Sequence, residues 1–385
     1  MWFNFGPKSG LLLIFFYNAL VFAALLLRRG ILAEERASRW LAAFLFLCAL
    51  YICPFMLGYG GWYSRQPYRD ILFYVPFQQL FLLGPVFYFF TRSLLDRDFR
   101  FRRRDLWHLL PAGLYLLYSL VVFATDKLWL GEYYFYADQR DKDLKFEYQL
   151  TGLVSMAVYF SLSLRLYFRY RRYAVQEASF AEAIRYGWIK YYLVTFLCIL
   201  LLRILFFILN PEWGEFGSKF WYYLCFSGLF FLIGLQGITH GMQPVLALDP
   251  EDGQVPIPES GGQQEEVRDA PDLHAWTARI TGALDAGEAF REPDLTLTEW
   301  AGRLGTNRSV LSAAINQGFG MNFNDFVNAR RAEAVIAGMR EGRLQQVTLL
   351  ALALECGFNS KSTFNRAFRK YTGLSPKEYL KRNGL

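Results

Sequence analysis

The stretch Gly357-Phe-Asn-Ser-Lys-Ser-Thr-Phe-Asn-Arg-Ala-Phe-Arg-Lys-Tyr-Thr-Gly-Leu-Ser-Pro376 carries its apolar residues at a helical period. Phe364 and Phe368 fall at i and i+4, so they share one face, while Lys361, Ser362, Asn365, Arg366 and Arg369 lie toward the other side. Gly357 and Gly373 bracket the run, and Asn359 or Ser360 is placed to cap a helix beginning at Lys361. Just upstream, Leu349 to Cys356 reads as a shorter helix, so the order is helix, glycine turn, helix. That order sets a second helix into a DNA major groove. From Gly357 to Leu385 seven Lys and Arg stand against the single acidic residue Glu378, a net charge of +6 where a phosphate backbone would need it.

The pattern has a precedent 52 to 53 residues earlier. Thr296-Leu-Thr-Glu299 has the form of a capping box. The helix it opens runs from Leu297 to Leu304 and stops at Gly305; Thr306 or Asn307 then caps Arg308 to Gln317. Leu311 corresponds to Phe364, Ile315 to Phe368, Gly320 to Gly373 and Phe326 to Tyr379. A helix from roughly Phe323 to Met339 joins the two units, about 296–317 and 348–370, and Asp272 to Ala286 reads as a leading helix. Two such units on one rigid connector would present helices to successive major-groove segments about 34 Å apart on one DNA face.

These residues carry a family resemblance. The segment from about Asp272 to Arg382 resembles the DNA-binding domain of the AraC/XylS family of bacterial transcription regulators. The second unit, Leu352-Ala-Leu-Glu-Cys-Gly-Phe358 through Phe364-Asn-Arg-Ala-Phe368 to Thr372-Gly-Leu-Ser-Pro376, is the closer match. The first, with Phe319-Gly-Met-Asn-Phe-Asn-Asp-Phe326, also fits. The resemblance implies base contacts from Arg308, Ser309 and Ser312 in the first unit and from Lys361, Ser362, Asn365 and Arg366 in the second. Arg reads guanine and Asn reads adenine in the major groove, whereas Arg369 and Lys370 suit phosphates. Ala313 departs from the family pattern, since some members carry a long polar reader there. The implied partners are promoter double-stranded DNA and RNA polymerase. Many members bind ligands in a cupin-like N-terminal domain, and no such domain is legible in this sequence.

The first 240 residues have a different character. The whole chain is 54% hydrophobic, 18% aromatic and only 19% charged, which suggests two regions in different solvents. A bilayer core needs about 20 apolar residues per helix. Seven runs qualify, namely Leu11 to Leu27, Trp40 to Leu57, Ile71 to Leu95, Leu106 to Ala124, Leu150 to Phe168, Tyr191 to Leu209 and Phe220 to Ile238, and none contains Asp or Glu. The first has little positive charge before it, Arg28 and Arg29 after it and no small-residue cleavage site, so it reads as a retained span rather than a signal peptide. Loops following the first, third and fifth runs, counted with Arg92 at the end of the third, hold fifteen Lys and Arg, and those on the opposite side hold eight. By the positive-inside rule the first set is cytoplasmic, the N-terminus is outside, and everything after the seventh run is cytoplasmic. The basic run from Arg97 to Asp105 reads as part of this topology signal rather than as a nucleic-acid patch.

Polar residues within the runs are the candidates for function. Arg203 lies in the sixth, seven residues from Asn210 and so about 10 Å along the helix from its outer end. Snorkelling to the interface is the favoured expectation, with a ligand or gating role as the alternative. Gln78 and Gln79, beside Pro76, Gly84 and Pro85, mark either a kinked, cavity-lining helix or helix-to-helix hydrogen bonding. The segment from Thr125 to Gln149, rich in Tyr and Asp, reads by default as a solvated connector and otherwise as a binding loop.

From Gly241 to Pro271 apolar periodicity stops, and seven acidic residues against Arg268 leave a net charge of −6. Such composition predicts a flexible acidic linker over 241–271. The formal charge of +7 suits nucleic acid or an anionic membrane surface. Five cysteines without C-x-x-C spacing and three scattered histidines offer neither a metal nor a catalytic site, and no cofactor is implied. The expected fold is therefore all-α: a seven-helix transmembrane bundle (1–240), the linker, and a two-unit helix-turn-helix domain (272–385). The leading reading is a non-enzymatic, one-component regulator in a bacterial cytoplasmic membrane, responding to an unknown signal ligand, with homodimerisation as one route of control. The alternative is a transporter or receptor with a regulatory or protein-interaction tail. The absence of Asp and Glu from the runs argues against a carboxylate relay.

Overall fold

A computed structural model describes residues 3–96, 99–138, 141–179, 186–209, 219–240, 273–286 and 289–384. Among these the regular structure is helical, with an isolated antiparallel bridge between Ala178 and Thr296 and no strand. The chain divides into two units: Met1–Phe168 with Gly187–Leu248, and Arg169–Tyr186 with Asp249–Leu385. The stretch expected to be a linker, 241–271, lies outside the described residues, as does Asn210.

The first unit contains α1 (Pro7–Leu32), α2 (Arg36–Tyr59), α3 (Tyr68–Tyr74), α4 (Leu80–Leu95), α5 (Leu110–Phe123), most of α6 (Phe146–Glu177), α7 (Tyr186–Leu209) and α8 (Phe220–Thr239). Among the described residues six helical stretches are long and apolar enough to cross a membrane: α1, α2, Arg103–Leu130, α6, Ile189–Leu209 and α8. α4 is apolar but has 16 residues. α2 is the central helix, packed by α1, α4 and α8, and Leu41, Leu45, Cys48 and Ile52 along it have no solvent exposure. Elsewhere Ile14, Leu114, Leu117, Val154, Leu201 and Leu205 point outward and are exposed. Apolar residues on both the packed and the outer side are the mark of membrane helices. Arg29, at the end of α1, donates to the carbonyls of Gly237 and His240 at 3.2 and 2.8 Å and pairs with buried Glu35 at 2.8 Å. It thus satisfies carbonyls that the C-terminus of α8 leaves open.

The third apolar run is not one helix. α3 ends at Tyr74, residues 75–79 are irregular, and α4 starts at Leu80. Pro76 lacks a backbone N–H and disfavours helix in the residue before it, which accounts for the break. The backbone groups freed there are taken up from outside the helix. Gln78 N–H donates to Asp143 Oδ2 at 3.3 Å, Leu80 N–H donates to Tyr148 Oη at 3.3 Å, and the Gln78 carbonyl accepts from the Tyr148 hydroxyl. The Gln78 side chain accepts from Gln149 Nε2 at 2.8 Å and donates to Tyr223 Oη at 3.3 Å, so it serves helix-to-helix hydrogen bonding.

Two expectations are corrected. Arg203 does not snorkel: it is 1% exposed, donating from Nη1 to Tyr51 Oη and from Nη2 to Gln149 Oε1, both at 2.7 Å. Polar partners within the bundle solvate its charge, so it has no need to reach an interface. Nor is the Thr125–Gln149 segment a solvated connector. Tyr136, Asp141, Lys142 and Asp143 are buried, and Tyr136 packs with Phe73, Tyr74 and Val122 in an aromatic core. Lys142 Nζ donates to the Phe73 carbonyl at 3.0 Å, Tyr63 Oη donates to Asp141 Oδ2 at 3.0 Å, and Tyr115 Oη donates to Asp143 Oδ1.

The second unit is built from α9 (Leu273–Ala286), α10 (Leu297–Arg303), α11 (Arg308–Phe319), α12 (Phe323–Arg340), α13 (Leu349–Glu355), α14 (Lys361–Thr372) and α15 (Pro376–Asn383). It has two hydrophobic cores. Phe323, Phe326 and Val327 of α12 join Trp300, Leu311 and Ile315 in one, while Ala332, Val335 and Met339 of the same helix join Leu352, Phe364 and Phe368 in the other. α12 is therefore a shared beam, buried at each end in a different core.

Candidate nucleic-acid interface

Each helix pair is set by local chemistry. Thr296 Oγ1 accepts from Glu299 N–H and Glu299 Oε2 accepts from Thr296 N–H, both at 3.2 Å, which starts α10 with a complete capping box. Asn307 Oδ1 accepts from Val310 N–H at 2.9 Å and starts α11. In the second unit Thr348 caps α13, and Ser360 Oγ accepts from Thr363 N–H at 3.2 Å to start α14. The turns between the helices place Gly305 at φ +63° and Gly357 at φ +93°, and α11 and α14 end at Gly320 and Gly373, also left-handed.

The two units are locked to each other. Asn359 Nδ2 donates to the Pro293 carbonyl at 3.2 Å, and Lys370 pairs with Asp325 of α12 at 2.7 Å. Arg331, wholly buried between the cores, donates from Nε to the Phe290 carbonyl and from Nη2 to the Glu292 carbonyl, each at 2.7 Å. Burial pulls its guanidinium down to about 10, and these carbonyls offset that cost. Nearby, the bidentate hydrogen bond from Arg303, at 2.5 and 2.7 Å, holds the Glu292 carboxyl below its usual range.

This packing turns the polar side chains outward. On α14 Phe364 and Phe368 are buried, while Lys361, Ser362, Asn365, Arg366 and Arg369 are all exposed. On α11 Leu311 and Ile315 are buried, Ser309 is exposed, and Ser312 and Ala313 are partly so. Arg308 differs from the rest. It lies at the start of α11 with its Nε 2.6 Å from Glu177 Oε2 and its guanidinium 4.8 Å from the centre of the Tyr173 ring. Glu177 is not legible in the sequence as part of this surface, because nothing local ties position 177 to a partner 131 residues away. Among the described residues no group of three or more His, Cys, Asp or Glu side chains is placed to hold a metal ion.

Residues 300–382 match a protein family described as a helix-turn-helix domain. They form an AraC-type helix-turn-helix domain. Over 101 residues the chain is 29% identical to an uncharacterised HTH-type transcriptional regulator of Staphylococcus aureus (strain COL), covering 26% of this chain and 13% of that protein. It is also 29% identical over 136 residues to the uncharacterised transcriptional regulatory protein YesN of Bacillus subtilis, covering 32% of this chain and 36% of YesN. The chain thus spans a small part of the first relative and about a third of the second. No solved structure matches the chain. The two glycine-turned helix pairs of this domain are the ones described above.

Proposed function

We propose that the chain is a membrane-bound one-component transcription regulator. The observation that carries this reading is the union, in one chain, of helices with membrane character and an AraC-type domain whose α14 exposes Lys361, Ser362, Asn365, Arg366 and Arg369. In this reading those residues, with Arg308, Ser309 and Ser312, meet promoter DNA, and Arg369 holds a phosphate. The excess of Lys and Arg after the first, third and fifth apolar runs supports a cytoplasmic AraC-type domain and an outside N-terminus. A signal ligand binding one arrangement of the helices more tightly than another shifts DNA occupancy, and a tenfold shift needs about 1.4 kcal/mol of coupling. Pairing of two copies and contact with RNA polymerase belong to the same reading.

The test is to crosslink the full-length protein to the genome in cells and sequence the attached DNA, with Arg366→Ala as control. A small set of strong sites lost in the control is the expected result. Equal recovery from both proteins would overturn the reading.

A further inference from the structure

The end of α6 and the residues after it dock onto the first helix-turn-helix pair. Glu177 is buried, and its two oxygens have different partners: Oε2 pairs with Arg308 Nε at 2.6 Å, and Oε1 accepts from Thr298 N–H at 3.0 Å. The Tyr173 ring flanks the same guanidinium. Ala178 pairs with Thr296 in the isolated bridge, and Ser179 N–H donates to the Leu295 carbonyl at 3.1 Å. The Ser179 carbonyl accepts from Asn324 Nδ2 at 3.0 Å, Asn328 Nδ2 at 3.1 Å and Arg331 Nη1 at 3.3 Å. Asn324 and Asn328 of α12 are themselves buried, as are Ala178 and Ser179. Three side chains converging on one carbonyl make a socket rather than a chance surface contact.

We propose that the segment Tyr173–Ser179 is an internal plug that occupies this socket and withholds Arg308 from DNA. The proposal rests on the reading of the AraC-type domain as a DNA binder. An exposed ion pair contributes little, but this one is largely buried, charge-assisted and joined to backbone hydrogen bonds on both sides. While docked, it removes a cation from the first recognition helix and sets a carboxylate beside it, and both changes oppose an approaching phosphate backbone. α6 runs without interruption from Phe146 to Glu177, so the plug continues the helix that contains the fifth apolar run.

The experiment uses the full-length protein in lipid nanodiscs and a labelled duplex taken from the sites recovered by crosslinking. Glu177→Gln keeps the shape and an acceptor for Thr298 but removes the charge that holds Arg308. It should bind about fivefold or more tightly, and freeing one cation should steepen the dependence of log K on log salt by about 0.9. Unchanged affinity and slope, with Arg366→Ala still abolishing binding, would overturn the plug and leave the DNA-binding reading intact. Equal binding by wild type, Glu177→Gln and Arg366→Ala would instead remove that reading and the plug with it. Hydrogen exchange on the wild type gives a readout that needs no variant. Added duplex should speed exchange at the Thr298 and Ser179 amides, and slower or unchanged exchange there would count against the plug.

Discussion

Arg203 Nη2 lies 2.7 Å from Gln149 Oε1, inside a bundle of apolar helices. Gln149 also donates from Nε2 to Gln78 Oε1 at 2.8 Å and to the Asp143 carbonyl at 2.5 Å, so it links a buried charge to the broken helix and to the segment before α6. The consequences of removing the two partners are unequal. Gln149→Leu takes the closest acceptor from Nη2 of a buried guanidinium, leaving it the Gln149 backbone carbonyl at 3.2 Å, which costs up to about 3 kcal/mol. Arg203→Leu leaves neutral acceptors, and the Tyr51 hydroxyl still has Tyr222 at 3.0 Å, so the cost is about 1 kcal/mol. Thermal unfolding in detergent should therefore rank Gln149→Leu well below Arg203→Leu. The reverse order would show that the guanidinium itself holds the bundle together.

How much of this was legible depended on the range of the interactions. The caps at Thr296 and Ser360, the glycines at 305 and 357, and the inward Phe364 and Phe368 are local events, each decided within a few residues, and the sequence carries them openly. The break at 75–79 sits inside an apolar run that satisfies every criterion of hydropathy; Pro76 marks it, but the groups that satisfy its backbone, on Asp143 and Tyr148, lie far along the chain. At Arg203 the sequence shows only the reach of one side chain, whereas its partners Tyr51 and Gln149 lie far along the chain. Burial of Asp141, Lys142 and Asp143 was hidden in the same way, because their charges read as solvation when their partners are unknown.

Gly305 and Gly357 occupy equivalent turns, yet their substitution should differ. A methyl group at Gly305 meets nothing within 4 Å, so Gly305→Ala pays only for the left-handed backbone, about 1 kcal/mol. At Gly357 the added Cβ would lie 2.6 Å from the Phe290 carbonyl oxygen and 2.8 Å from Arg291 Cα. That oxygen accepts from buried Arg331. Gly357→Ala should cost a further 2 kcal/mol or so through overpacking and a strained Arg331 bond. Unfolding midpoints of the two variants decide it, with equal losses telling against the close approach.

Asp141 and Asp143 form a buried pair outside the apolar runs, and burial, together with the neighbouring carboxylate, pushes Asp141 above the usual carboxylate range. Burial likewise raises Asp143, opposed by Lys142. A raised folded-state value means that the folded form binds protons more tightly than the unfolded chain. The contribution is fully present below about pH 4, the unfolded Asp value, and is lost as pH rises through the raised value. Stability followed against pH in detergent should decline across that window, and Asp141→Asn should flatten the decline. An unchanged slope in the variant would place the titration elsewhere.

Arg366 and Arg369 are three positions apart on α14 and both exposed, yet they should fail in different ways. If Arg366 reads a base edge, Arg366→Ala should cost about 1–3 kcal/mol on the preferred duplex and much less on duplexes altered at the base it reads. If Arg369 holds a phosphate, its loss should weaken binding to every duplex alike and reduce the salt slope by about 0.9. Lys370 provides an internal comparison, since its pairing with Asp325 at 2.7 Å already gives that charge a partner on α12. Lys370→Ala should therefore change the salt slope less than Arg369→Ala. Binding titrations at three salt concentrations, on the preferred and the altered duplex, separate the roles. Uniform weakening by Arg366→Ala across both duplexes would reassign it to the backbone and shift base reading toward Lys361, Ser362 and Asn365.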